Sequence, residues 1–466
     1  MAEKGSYFVL TLPLDTKPWQ EAILNKRFEV NRKIYNALLQ GGFKRYCQMT
    51  QTRKYRELIE KLDQTREAAD RKKIYRELDE MAAAYRLTKA ELSRDSTQYR
   101  QFFPENTDAP IVQNLSANAW KSLYSMMCRR SKTLHLKEEG QLNVLEGKSN
   151  KTSIRYADGK ILWKKLEIPA VLKNSAYEQE ALSREIRYCR LKQKEIRGKQ
   201  RYFADIVLKG QCPVRKVIPA AHPGTVGVAV TLKQFYLVSR YEIRVEEFTR
   251  YSEALNVKRG ELIRKMEVSR RLNNPQNYEE NGRIRAGSLK WIYSKNYQKN
   301  RKRLREIARK QQAIRREERG KLIRSLLTMG DTFVVEQIDY RKLKERHFGK
   351  PVESSAAAGF LREMEWKCSV QGRTWKSIES GTLYKTWKDH EKERTEQPIS
   401  QESGENQAHT HPDSQPEAIW NTEPDACLHR AFLLMHADQE GIDWQGYQRD
   451  WNDFVKLRQQ FHGQTE

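Results

Sequence analysis

The sequence predicts an α+β fold of several domains, and three observations support this prediction. The chain has 466 residues, which is long enough for more than one hydrophobic core. Residues 17–132 carry apolar side chains at helical spacing, whereas residues 133–214 contain short apolar runs separated by Gly turns. From residue 215 onwards, strand-like and helix-like segments alternate. We therefore expect a helical region, an antiparallel β region and a mixed domain at residues 215–466.

The helical region begins at Pro18, a residue that fits the first turn of a helix. Apolar residues then recur at i+4 and i+7 spacing: Trp19, Ile23, Val30, Ile34 and Leu38. Similar patterns cover residues 54–84 and 117–130. These patterns predict a set of packed helices between residues 17 and 132.

The β region contains D-G and R-G pairs between short apolar runs, at Asp158-Gly159 and Arg197-Gly198. Such pairs are typical of tight hairpin turns, so residues 133–214 are predicted to form a small antiparallel barrel. Residues 1–16 contain another apolar strand, GSYFVLTLPL, which can complete the barrel. In that case the helical region is an insertion between two strands of one barrel.

The mixed domain begins with two apolar runs, Thr225–Val230 and Phe235–Val238, which predict an antiparallel hairpin. A basic helical stretch at residues 248–329 follows, and then a strand that carries Glu336. The remaining predicted elements are a helix at about 355–366, a strand-like segment at 368–379 and a helix from about Asp425.

The charge of the chain predicts a polyanionic partner. Lys and Arg number 87 against 61 Asp and Glu, which gives a net charge of +26. The charge is clustered, because Arg301 to Arg324 holds 11 basic residues and three Glu. The candidate nucleic-acid contacts are Arg187, Arg190, Lys192, Lys194, Lys265, Arg270, Arg271, Arg301, Arg303, Arg305 and Arg309.

Other classes of protein are disfavoured by the cysteines and by the apolar runs. The six cysteines include no C-x-x-C pair, the N-terminus has no apolar signal core, and no run is long enough to span a membrane. We expect reduced thiols, no membrane association, and a cytoplasmic, nucleoid-associated location.

Three stretches of the mixed domain resemble the active-site elements of a RuvC-type nuclease. They are the run His222-Pro223-Gly224-Thr225-Val226-Gly227, the strand Phe333 to Ile338 and the helix from Cys427 to Leu434. Their order and spacing resemble TnpB, the transposon-encoded RNA-guided nuclease, and its relatives the type V CRISPR effectors. In that alignment His222 and Cys427 stand where the family has its first and third catalytic aspartates, and Glu336 is the second carboxylate.

The resemblance implies a wedge-type β-barrel with an inserted helical recognition domain, followed by an RNase H-like (RuvC) domain. It also implies a guide RNA, a target double-stranded DNA with a short flanking motif, and a monomeric ribonucleoprotein. Lys265 to Arg271 resembles the S-R-R segment of the family. Residues 391–424 are acidic and polar where most TnpB proteins carry a zinc ribbon, and they are predicted to be disordered.

The same resemblance predicts that nuclease activity has been lost. Two Mg²⁺ ions need oxygen ligands, whereas His222 supplies nitrogen and Cys427 sulfur. Asp425 is no substitute, because a two-residue step turns a helical side chain by about 200°. The expected protein is a nuclease-inactive RNA-guided DNA binder that acts as a transcriptional repressor, with no metal needed for its function.

Several alternatives to this hypothesis stay open at the level of sequence. The protein is alternatively an active TnpB-like or type V CRISPR-like nuclease with an unconventional metal site, or an RNA-binding remnant without DNA targeting. Zinc is a further alternative, bound by His222, Glu336 and Cys427 or by Cys368 with His390, His409 and His411. The plainest alternative is that His222, Glu336 and Cys427 are ordinary structural residues.

Overall fold

The structure is a computed structural model that describes most of the chain. The described residues are 6–129, 131, 133–231, 234–247, 253–287, 289–337, 357–379, 383, 385–387, 424–438 and 441–463. The chain divides into two compact units, Met1–Pro213 and Val214–Glu466, which we describe one by one. No helix among the described residues combines the length and the apolar character that a membrane crossing requires.

Unit 1, Met1–Pro213, begins with strand β1 (Tyr7–Pro13) and continues with five helices. The helices are α1 (Pro18–Thr50), α2 (Arg53–Gln64), α3 (Ala68–Ala84), α4 (Lys89–Phe102) and α5 (Ala109–Met127). Thr52 and Thr88 cap α2 and α4, because each side chain accepts a hydrogen bond from a backbone N–H of the first turn. The Thr52 cap begins α2 at Arg53, and residues 65–67 separate α2 from α3, so the helical pattern over 54–84 forms two helices.

The remaining elements of unit 1 are six strands and one short helix. They are β2 (Val144–Glu146), β3 (Arg155–Ala157), β4 (Lys160–Trp163), β5 (Leu166–Pro169), α6 (Ala176–Leu182), β6 (Ile186–Ile196) and β7 (Lys199–Lys209). They form a four-stranded sheet in the order β1-β7-β6-β2 and a three-stranded sheet in the order β3-β4-β5. Asp158-Gly159 and Arg197-Gly198 have positive φ at both positions, as a type I′ hairpin turn requires.

The opening strand pairs with β7 in antiparallel register, from Tyr7 with Lys209 to Pro13 with Phe203. Along the chain, helices α1 to α5 therefore fall between β1 and β7, which are hydrogen-bonded neighbours in one sheet. One hydrophobic core joins the sheets to α1, α4 and α5, and its largest buried side chain is Trp163. Arg27 of α1 stacks over the Trp163 ring and donates a hydrogen bond to the Trp163 carbonyl.

Unit 2, Val214–Glu466, contains one mixed sheet and five helices among its described residues. The strands are β8 (Thr225–Val230), β9 (Gln234–Val238), β10 (Ile243–Glu247), β11 (Thr332–Gln337) and β12 (Thr374–Glu379). The helices are α7 (Glu253–Asn273), α8 (Lys295–Leu326), α9 (Ala357–Val370), α10 (Pro424–Met435) and α11 (Trp444–Gly463). The strand order is β10-β9-β8-β11-β12, with β8, β11 and β12 parallel to one another.

Both faces of this sheet are covered, because successive side chains of a strand point to opposite faces. Val226, Val228 and Val230 of β8 pack with α9 and the end of α8. Ala229 of β8 and Val334 of β11 face the other way and pack with α10. The predicted hairpin is confirmed, since β8 and β9 are antiparallel neighbours.

Among the described residues the structure differs from the sequence analysis in three places. Residues 368–379 are not one strand, since 368–370 complete α9 and the strand begins at Thr374. Helix α4 was not predicted, because its apolar residues are sparse and only Leu92 and Ser96 are buried. Residues 161–168, which the sequence presents as one short run of the β region, form a hairpin of β4 and β5 with Lys164 at positive φ. The predicted disordered stretch at 391–424 lies outside the described residues except for Pro424.

Candidate functional site

Glu336 lies near the end of β11, on the face of the sheet that α10 covers. The register that pairs Val228 with Val335 places Ala229 of β8 beside Glu336, and Ile378 of β12 is its neighbour on the other side. Glu336 is only 5 % exposed. Glu336 therefore has an apolar residue beside it on each of the two neighbouring strands.

Helix α10 approaches the sheet closely because β8 carries a glycine at the contact. A Cβ atom on Gly227 would lie 1.8 Å from the Ala431 carbonyl oxygen and 2.5 Å from the Met435 nitrogen. Cys427, Arg430 and Ala431 share one side of the helix, since they are three and four residues apart. The close approach places Cys427 and Arg430 over Ala229 and Glu336.

The guanidinium group of Arg430 forms an ion pair with Glu336. Arg430 Nε lies 3.0 Å from Glu336 Oε2, and both side chains are almost completely buried. Arg430 Nη2 is also 3.4 Å from the Val230 carbonyl oxygen and 3.9 Å from Cys427 Sγ. A cation that belongs to the chain thus balances the buried carboxylate.

The thiol of Cys427 is buried and stays protonated at neutral pH. Burial raises the pKa of Cys427, the charge of Arg430 opposes this effect, and the charge of Glu336 adds to it. Burial also raises the pKa of the neighbouring Tyr236. The neutral thiol is a poor ligand for a hard cation, because metals bind the thiolate.

The residues at this site do not fit a two-magnesium centre. Each Mg²⁺ needs about six oxygen ligands in octahedral geometry, whereas the site offers a methyl group at Ala229, a thiol at Cys427 and one carboxylate. The guanidinium of Arg430 already lies against that carboxylate. Among the described residues no group of three or more His, Cys, Asp or Glu side chains is arranged to hold a metal ion.

The structure does not bring His222 to this site. His222 is exposed and lies before β8, where its ring stacks on Tyr241 with a centroid separation of 4.2 Å. Thr225 to Ala229 alone spans roughly 13 Å at about 3.3 Å per residue. His222 therefore lies at the opposite end of the sheet from Glu336, and Ala229 occupies the position that the sequence analysis gave to His222. The proposed zinc site of His222, Glu336 and Cys427 is excluded by the same separation.

Sequence reasoning also missed Arg430. The helix was expected only to supply a third ligand. A basic residue three positions after Cys427 is nevertheless a visible signal, because residues three apart share one face of a helix. Asp425 lies on a different side of α10, is half exposed, and its Oδ1 accepts a hydrogen bond from His462 Nε2 at 2.8 Å. Cys368 of α9 is buried in the hydrophobic core between α9 and the sheet. His390, His409 and His411 lie outside the described residues.

The predicted contacts on β6 divide into paired and exposed residues. Arg190 is paired with Glu146 at 2.6 Å, and Lys192 is paired with Asp205. Arg187 and Lys194 are exposed, and the Lys194 ammonium lies 5.5 Å from the Phe203 ring centroid. Tyr202, which alternates with these basic residues in the sequence, is buried and is not accessible for base stacking.

The basic stretch of unit 2 is an antiparallel helical hairpin formed by α7 and α8. Ser269 Oγ lies 2.9 Å from Ser294 Oγ at one end, and Gln311 donates to Asn256 Oδ1 at 2.8 Å further along. The predicted contacts Lys265 of α7 and Arg303 and Arg305 of α8 are exposed on it. Arg301 is half-buried, and Arg309 is paired with Glu306 at 2.7 Å.

Arg270 and Arg271 have different environments in this hairpin. Arg270 donates to the Tyr278 hydroxyl at 3.0 Å, pairs with Glu267 at 2.5 Å and lies over the Trp291 ring. Arg271 is half exposed and pairs with Glu267 at 3.1 Å. Burial opposes ionisation of Glu267, but the two arginines outweigh it and lower the pKa of Glu267. Arg270 therefore holds the hairpin together, and Arg271 is the more accessible cation.

Comparisons with known proteins place the chain near one group of solved structures. Neither the family models nor the curated proteins contain a match to the sequence. A cryo-EM structure of a Cas12f1–sgRNA–target DNA complex aligns over 94 % of this chain and 99 % of that chain, with 11 % identity and a TM-score of 0.38. A CRISPR–Cas12f ternary complex aligns over 82 % and 78 %, with 14 % identity and a TM-score of 0.28. The chain is a mixed α+β protein whose structural neighbours are Cas12f complexes, and both TM-scores are too low to carry a functional argument.

Proposed function

We propose that this protein is a nuclease-inactive, RNA-guided DNA-binding protein that represses transcription by occupying its target. Two observations support this function: the motifs resemble those of TnpB, and the site of Glu336, Cys427 and Arg430 does not fit a metal centre. Guide RNA and double-stranded DNA with a short flanking motif are the partners, and base pairing selects the target. A complex that stays on DNA without cutting it obstructs a polymerase.

The observation that carries the loss of nuclease activity is the buried pair of Glu336 and Arg430. Metal-dependent phosphodiester cleavage needs cations held by carboxylates next to the scissile phosphate. Among the described residues of this site the one carboxylate, Glu336, is paired with Arg430, and positions 229 and 427 carry no acid. Displacing the guanidinium would leave a buried arginine unpaired, which is costly.

The exposed cations of the α7–α8 hairpin support nucleic-acid binding. Arg303 and Arg305 of α8, together with Lys265 of α7, present positive charge along an extended surface. Such charges bind phosphates without regard to sequence and release counterions from the nucleic acid. The hairpin therefore suits a protein that leaves sequence recognition to a guide RNA.

The test is purification of the full chain followed by sequencing of the RNA that accompanies it. A DNA duplex complementary to the guide segment, with randomised flanking positions, is then offered to the complex. We expect a gel shift of a subset of flanking sequences and no cleavage products in Mg²⁺ or Mn²⁺. A matched duplex with a scrambled target segment is the control.

Two results would replace the proposal with one of its alternatives. Guided cleavage that Glu336→Ala abolishes would make the protein an active nuclease with an unconventional metal site. A bound structured RNA without any binding of the complementary duplex would identify an RNA-binding remnant. A protein that binds neither RNA nor DNA would contradict all three functions.

A further inference from the structure

Unit 2 contains a cavity at the opposite end of the sheet from the pair of Glu336 and Arg430. Its volume is about 390 Å³, which is within the range of small-ligand sites, and it lies where β8 and β11 begin. The segment after β9, the strand β12, the end of α10 and the helix α11 complete its wall. None of the functional residues discussed above uses this cavity.

The mouth of the cavity carries an aromatic platform and several cations. Tyr241 is 49 % exposed and is stacked with His222 at 4.2 Å and an interplanar angle of 29°. Arg240 and Arg449 are more than half exposed and both pair with Asp450, at 3.9 and 2.9 Å, and Lys376 also lines the cavity. An exposed aromatic face stacks a nucleobase, and nearby arginine and lysine side chains bind the phosphates on either side of it.

The inner wall offers polar groups that can read the edge of a base. His436 and Asp450 are both more than nine-tenths buried, and His436 Nε2 lies 3.9 Å from Asp450 Oδ2. Among the described residues, His436 Nε2 has no hydrogen-bond partner. Asp450 accepts from the exposed side chain of Arg449 at 2.9 Å. Asp438 and Asp443 also line the cavity, so the wall is rich in acceptors for amino groups.

We propose that this cavity binds one unstacked nucleotide of the nucleic acid that the protein holds. The base stacks on Tyr241, its amino-bearing edge faces the aspartates that line the cavity, and its flanking phosphates lie near Arg240 and Lys376. This inference rests on the proposed function, because it presupposes a bound nucleic acid. The nucleotide comes from either the RNA or the DNA strand, and both present the same chemistry to the cavity.

The experiment measures the affinity of the full chain for two fluorescein-labelled, 20-nucleotide single strands of mixed sequence, one of RNA and one of DNA. Tyr241→Ala should weaken binding of at least one probe by roughly 5- to 150-fold, the range for loss of one stacked base. Tyr241→Phe keeps the aromatic face and should bind like the wild type. Tyr75→Ala, which removes a similarly exposed tyrosine from α3, is the matched control and should change nothing.

Comparison of the two probes identifies the source of the nucleotide, because a loss confined to one probe assigns the cavity to that strand. Ultraviolet cross-linking followed by mass spectrometry should also join Tyr241 to a single nucleotide of that probe. Equal binding by wild type and Tyr241→Ala, with both probes bound, would overturn this site and leave the proposed function intact. If the wild type bound neither probe, this site would fail, whereas the proposed function would still be decided by its own test with the guide RNA and the duplex.

Discussion

At the level of single residues, the ion pair of Arg430 and Glu336 stabilises the fold only while both partners are present. Arg430→Met leaves a buried carboxylate without its counterion, so we expect a loss of about 3–5 kcal/mol in the free energy of unfolding. The double substitution Arg430→Met with Glu336→Leu should lose much less, because no charge remains buried. Urea denaturation of the full chain measures both changes.

The matched control for this experiment is Lys456→Met, which breaks an exposed pair with Asp453 on α11. Exposed pairs contribute about 0–1 kcal/mol, so the midpoint should barely move. Equal losses for the Arg430 variant and the double variant would contradict the prediction, since the cost would then come from packing alone.

The thiols provide a second test at the residue scale. Burial raises the pKa of Cys189 and of Cys368 to about 12, and it also raises the pKa of Cys427. Since the thiolate is the reactive form, Ellman's reagent at pH 8 should label Cys47, Cys128 and Cys212 quickly and the three buried thiols only after denaturation. Rapid labelling of Cys427 in the native protein, detected by peptide mass spectrometry, would show that α10 does not pack on the sheet.

At the level of elements, Gly227 sets the distance between β8 and α10. Gly227→Ala would bring its Cβ atom into the backbone of α10, so we expect marked destabilisation or an insoluble protein. Gly320→Ala in α8 is the matched control, because no atom lies within 4 Å of a Cβ placed there. That control should stabilise the helix by about 0.5–1 kcal/mol. Thermal denaturation compares the two, and equal melting temperatures would refute the close contact.

The α7–α8 hairpin gives the second prediction at this scale. Arg303→Gln with Arg305→Gln should weaken binding to all target sequences alike and reduce the salt slope by about 1.8, at roughly 0.9 per phosphate contact. Arg270→Gln should instead speed up hydrogen exchange around Tyr278 and Trp291, because it removes the contacts that join them to α7. A changed preference for the flanking motif in the double variant would make those arginines base readers and contradict the assignment.

The elements also show what the sequence could and could not predict. The two apolar runs at 225–230 and 235–238 were sufficient for the β8–β9 hairpin, and the Arg197-Gly198 pair was sufficient for the β6–β7 hairpin. The opening strand was expected to join the β region, but its partner β7 was not identified from the sequence. The position of the site along β8 was not predicted correctly, because the motif resemblance placed the site at His222, before the strand begins. Only the parallel register of β8 and β11 shows that Ala229 is the residue beside Glu336.

At the scale of the whole molecule, the site predicts which substitutions could restore a metal centre. Two Mg²⁺ ions bring four positive charges, so the site must gain carboxylates and lose its own cation. Ala229→Asp and Cys427→Asp combined with Arg430→Ala supply three carboxylates at one place on the sheet. We expect Mn²⁺ to raise the melting temperature of this triple variant and not that of the wild type.

The decisive control replaces Ala229→Asp by His222→Asp in the same background. His222 lies at the other end of the sheet, so this variant should show no stabilisation by Mn²⁺. The wild type should not cleave guided DNA, and His222→Asp alone should not change that. If His222→Asp rather than Ala229→Asp produced metal-dependent stabilisation, the register of β8 and β11 that places Ala229 beside Glu336 would be wrong. The site would then lie at the start of β8, near His222.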